Sequence, residues 1–159
     1  AGVLPTIRSR CVSFAIAPVS PADCARYCTA HGVDKKTAAL YSELFDGHIG
    51  TVLTAARDKA RTEQVDKAME LARAAQAGDS YTAAVLLAPY EKDKAGAAAL
   101  LRDLRAVAAA GLQGSPHAPV QGQQAQRTLR LAEAAIQRLG AQVNPKIVLT
   151  VFAARLAHA

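Results

Sequence analysis

Arg8 and Arg10 flank Ser9 in the segment Leu4-Pro5-Thr6-Ile7-Arg8-Ser9-Arg10-Cys11, whose residue types suggest chemistry more than helix formation. Guanidinium groups are permanent cations with a planar fork of donors, well matched to phosphate oxygens. Two arginines near one end of a chain are also ordinary surface residues, so by themselves they leave both readings open. A second candidate is Cys24, Cys28 and His31, at i, i+4 and i+7 on one helix face, with Cys11 available as a fourth ligand. Thiolate and imidazole at that spacing can hold zinc. The plainer reading makes the cysteines small core residues and His31 a helix-end residue, and no metal site is assigned.

Other chemistries find no residues to carry them. A P-loop needs a glycine-rich turn ending in Gly-Lys-Ser or Gly-Lys-Thr, and the chain has none. Asp46-Gly47-His48-Ile49-Gly50 has two glycines but no lysine, and reads as a capping turn. His31, His48, His117 and His158 fall at a helix end, a helix start, a loop and the C-terminus. None has a nucleophile elbow beside it, so Ser–His–acid catalysis is not indicated.

The elements that would position these residues are nearly all helical. Val12-Ser13-Phe14-Ala15-Ile16 alternates and predicts a short strand, which alone could not satisfy its backbone groups. Ser20-Pro21-Ala22-Asp23 is a helix start, with serine as N-cap and proline in the first position. That helix stops at Gly32; a second, capped by Asp34, ends at Gly47, and a third carries Ile49, Val52 and Leu53. From Thr62 the helices lengthen. One holds Val65, Met69 and Leu71 and ends at Gly78; the next is capped by Ser80 and ended or kinked by Pro89. Asp93 caps a helix that stops at Gly111. GLQGSPHAPVQG, residues 111–122, is expected to be the least ordered interior loop. A helix then runs to Gly140, and Asn144-Pro145 opens the last one.

Composition sets the outer limits. At 159 residues the chain can form one domain or two small ones. Much of its hydrophobic content is alanine and it has no tryptophan, which favours closely packed helices around modest cores. Nineteen basic against 13 acidic residues give a net charge of +6, but the excess is spread along the chain. It reads as solvated helix faces, with weak attraction for DNA as the alternative. Three cysteines imply no closed disulfide framework and point to a reducing, cytoplasmic setting. No apolar run approaches the ~18 residues of a membrane helix, and no stretch of the given sequence reads as a secretory n- and h-region. The sequence opens without methionine, directly into what reads as the tail of a larger domain, so a C-terminal fragment of a longer protein is expected.

Three stretches resemble one family. LPTIRSRC at 4–11 is similar to the end of the ATPase module in the AAA+ clamp-loader family of bacterial DNA polymerase III. Gly47-His48-Ile49-Gly50 stands where the family's lid carries a glycine-serine turn, and Val143-Asn144-Pro145-Lys146 looks like a motif near the end of its last domain. The resemblance implies an all-α chain after a short remnant of the ATPase domain at 1–17. A three-helix lid would cover 18–58 and a roughly five-helix collar 59–159. Arg10 would be an arginine finger reaching the γ-phosphate of ATP on a neighbouring subunit, with Ser9 supporting the motif and Cys11 starting the strand. Such a finger is worth ~10³–10⁵ in rate in well-studied GTPases. ATP and Mg would be held by the neighbours, with no cofactor in this chain and no catalysis of its own. The implied partners are gamma/tau and delta subunits through the collar, with the sliding clamp and primed DNA reached in the assembly and no membrane. The family's ATP-sensing lid arginine is missing, since Gly50 and Thr51 occupy its positions. That separates the chain from the hydrolysing gamma/tau subunits, the nearest alternative. Outside the family, a stand-alone all-α interaction or DNA-binding module and a zinc-dependent enzyme are the competing classes.

Overall fold

Short polar side chains placed just ahead of apolar runs decide where these helices begin. The computed structural model describes residues 10–12, 17, 19–141 and 143–157. Helix α1 spans Pro21–Ala30, and the Ser20 hydroxyl at its N-cap accepts from the Asp23 N–H at 3.2 Å. Helix α2 spans Lys35–Leu44, capped by Asp34, whose carboxylate accepts from the Lys36 and Thr37 N–H groups. Those bonds, the Thr37 N–H foremost, hold the Asp34 carboxyl below its ordinary range. Helix α3 spans Ile49–Arg57, and Asp58 both ends it and caps α4, Lys59–Ala77. Helix α5 covers Ser80–Leu87 and passes into a 3₁₀ turn at Ala88–Tyr90. Helices α6, Lys94–Leu112, α7, Gly122–Gly140, and α8, Pro145–Ala157, complete the chain.

The chain is therefore all-α in its described residues, as the sequence predicts. The expected strand rests on 13–16, outside those residues; Val12 is described and is exposed. Four boundaries differ from expectation. Helix α2 ends at Leu44 rather than at Gly47. Helix α4 starts at Lys59 rather than near Thr62, because Asp58 supplies the cap. The cap of α5 is Asp79 and not Ser80: its carboxylate takes both the N–H and the hydroxyl of Thr82, leaving Ser80 as the first helical residue. Helix α6 does not stop at Gly111 but runs on to Leu112.

Helices α1–α3 pack on one another, and α4–α8 form a second group in which α6 and α7 make the most extensive pairing. One connected core nevertheless runs through both groups. Its centre is Leu71, Leu100, Leu101 and Leu104, all fully buried. Burying such a side chain is worth about 1.5–3 kcal/mol. Around them Ala68, Ala72, Ala75, Ala97, Ala108, Ala125 and Ala132 are fully buried too, so the helices approach closely.

The 113–121 loop also departs from expectation. Ala118 and Val120 are buried, at 4% and 0% exposure. The Ser115 hydroxyl donates to the Glu43 carboxylate on α2, and the Gln121 N–H donates to Gln76 Oε1 at 3.0 Å. Composition suggests looseness, but long-range hydrogen bonds seat this loop across both helix groups.

Candidate functional site

Arg10 lies in a turn and is exposed, and so is Cys11. Arg8 and Ser9, the rest of the candidate phosphate motif, fall outside the described residues.

The cysteine–histidine face does not converge. Cys24 and Cys28 are fully buried in the core between α1 and its neighbours, while His31 is exposed at the α1 C-terminus. The His31 ring stacks on Tyr27 with centroids 4.0 Å apart, and its Nδ1–H donates to the Tyr27 carbonyl at 2.8 Å. Among the described residues no group of three or more His, Cys, Asp or Glu is placed to hold a metal. Burial, and then the adjacent Cys24, push the Cys28 thiol up from its ordinary value. Native protein should therefore titrate one fast thiol with an aromatic disulfide reagent, Cys11, and three only in denaturant. Rapid labelling of more than one would show that α1 opens.

The Gly47–Gly50 turn is explained by packing. Gly47 has φ +72°, and a Cβ there would lie 1.8 Å from the Val19 carbonyl oxygen. Only glycine fits, and the close approach sets Val19 against the turn just ahead of α1. His48 and Thr51 are exposed beside it, with no cation in the turn itself. At the far end, Asn144 Oδ1 accepts from the Lys146 N–H at 2.9 Å and its carbonyl from Val148, so Val143–Lys146 opens α8.

Sequence reasoning missed a cluster where the two helix groups meet. Arg61 on α4 makes a two-pronged contact with Asp103 on α6, its Nη2 donating to Oδ1 at 2.6 Å. Gln64 Nε2 donates to Asp103 Oδ2 at 2.6 Å, and the Arg61 guanidinium lies 5.5 Å from the Phe45 ring centre. The hydrogen bond with Asp103 raises Arg61 further above its usual value. Arg61 reads as one more surface cation in sequence. The available signal was Asp103, an acid on the same helix face as Leu100, Leu104 and Val107. A second missed feature is a groove of about 360 Å³ between α5 and α8, lined by Tyr81, Ala84, Leu87, Leu149, Thr150 and Ala153 among others.

No described helix is long and apolar enough to cross a membrane. Comparisons with protein-family models, with curated proteins and with solved structures each returned no match.

Proposed function

We propose that this chain is the lid and collar part of the delta-prime subunit of the bacterial DNA polymerase III clamp loader, acting in the cytoplasm. In that reading residues 1–17 end the ATPase module, 18–58 form the lid and 59–159 the collar. The observation that carries it is the succession of helices downstream of the Ser-Arg-Cys motif. Three short ones lie between Pro21 and Arg57, followed by five from Lys59 to Ala157. The exposure of Arg10 supports a finger offered in trans to ATP and Mg on a gamma/tau neighbour. A lid turn without a cation supports a subunit that does not hydrolyse ATP itself. The lid and collar of this chain share a core, so the lid would move with its collar rather than swing freely.

The test is reconstitution with gamma/tau and delta subunits from the same organism. The chain is expected to join them in a stoichiometric complex on gel filtration and to show no ATP turnover alone. Failure to bind either subunit at micromolar concentration, or turnover by the chain alone, overturns the proposal.

A further inference from the structure

Helix α5, SYTAAVLL, has no charged residue and is apolar on all sides. Ala83 and Leu87 are buried, while on the other side Tyr81 is 78% exposed and Val85 53%. Helix α8 repeats the pattern. Residues 147–154 carry no charge; Val148, Leu149, Phe152 and Ala153 are buried, whereas Ile147 is 58% and Val151 38% exposed. A helix that is hydrophobic all round is normally covered all round. The two run antiparallel, since Glu91, just past the 3₁₀ turn that follows α5, pairs with Lys146 at the start of α8 at 3.5 Å. Tyr81 lines the α5–α8 groove, and Val85, Ile147 and Val151 are exposed apolar residues on the same two helices.

We propose that this face binds a second copy of the same chain, with α5 of each copy lying over α8 of the other to form a four-helix arrangement. The charges at the helix ends argue for it. Helix α5 has Asp79 at its N-cap and Glu91, followed by Lys92, beyond its end; α8 has Lys146, which pairs with Glu91 in the same chain, and Arg155 in its last turn. All of these are at least partly exposed. A two-fold axis along the groove sets α5 antiparallel to the partner's α8, bringing Glu91 toward the partner's Lys146 and Asp79 toward the partner's Arg155. The alternative axis, across the groove, stacks α5 on α5 and α8 on α8. It would place Asp79 against Glu91 and Lys146 against Arg155, like charge on like charge. Unfavourable pairing of that kind selects among otherwise similar apolar contacts.

The face is small. Thirteen residues make α8 about 20 Å long, and neighbouring helix axes lie about 8–10 Å apart. Such a face falls short of the ~800 Å² per partner of a standard interface, so the association is expected to be weak. This inference rests on the chain's own surface and does not depend on the clamp-loader reading.

Sedimentation equilibrium of the chain alone, from low to several hundred micromolar, tests it. The mass should rise from one chain to two, and less steeply in high salt. Val85→Glu and Ile147→Glu alter exposed side chains, so both should keep the circular dichroism spectrum and stay monomeric throughout. Glu91→Lys alone and Arg155→Glu alone should each weaken the dimer about tenfold. A wild-type chain that is monomeric at every concentration overturns the proposal, as does unimpaired dimerisation of both glutamate variants. Strengthening by Glu91→Lys would identify the like-on-like arrangement and overturn the one proposed. A chain that is monomeric alone but loses binding to gamma/tau or delta in the Val85→Glu variant assigns the face to those subunits instead. That outcome would leave the functional proposal standing.

Discussion

Arg61→Ala is expected to destabilise the fold by about 1–3 kcal/mol, the range for leaving a part-buried hydrogen-bonded group without its partner. The cost arises at Asp103, which is 7% exposed on a face of α6 otherwise occupied by Leu100, Leu104 and Val107. Without Arg61 the carboxylate keeps only the Gln64 amide and stays out of water. The same substitution also removes the guanidinium from the Phe45 ring, loosening α4 against the end of α2. Removing the other partner is expected to cost less. In Asp103→Ala the Arg61 side chain, 26% exposed, can turn its charge toward solvent. Replacing both, as in Arg61→Met with Asp103→Leu, should lose much less than the two single changes added together, because no charge is then left buried. Urea unfolding followed by circular dichroism reads these differences, and the Arg61→Ala midpoint on heating should fall by about 2–12 °C. A loss below about 1 kcal/mol would mean that water reaches Asp103.

The ends of the helices were legible in the sequence because capping is local. Ser20, Asp34, Asp93 and Asn144 each bind a backbone N–H two or three residues on, and no distant residue alters that. Even the miss at α5 is local. Asp79 and Ser80 are both good caps, and the carboxylate prevails because it engages the Thr82 N–H and hydroxyl together. What could not be read depends on partners far along the chain. Arg61 and Asp103 are 42 residues apart, and Glu43 and Ser115 72 apart. No periodicity links such positions.

The motifs behind the functional proposal differ in the same way. Gly47 is required by the approach of the Val19 carbonyl, and Asn144-Pro145 by the start of α8, so both have structural reasons to be what they are. Arg10 is described only as an exposed residue in a turn, and its role rests on the resemblance of the Ser-Arg-Cys motif.

Gly111→Ala should lower stability by about 1–3 kcal/mol, the range for forcing extra volume into a packed site. In an ordinary helix interior the same change gains up to ~1 kcal/mol, because glycine loses more backbone freedom on folding. Position 111 reverses the sign. It lies inside α6, and a Cβ there would stand 1.9 Å from the Val120 carbonyl oxygen and 3.5 Å from the Ala118 Cβ. The methyl group of Ala118 could accommodate it; the backbone of Val120 cannot without moving the loop. That loop is held at Ser115 by Glu43 and at Gln121 by Gln76, so the shift would strain or break bonds reaching α2 and α4. Gly140→Ala supplies the opposing case, since a Cβ at the end of α7 meets nothing within 4 Å. Thermal unfolding of the two variants should move in opposite directions, Gly111→Ala downward and Gly140→Ala unchanged or upward. If Gly111→Ala were instead as stable as the parent, the 113–121 loop would have to give way freely, and its seating across the two helix groups could not be what holds α6 beside α2.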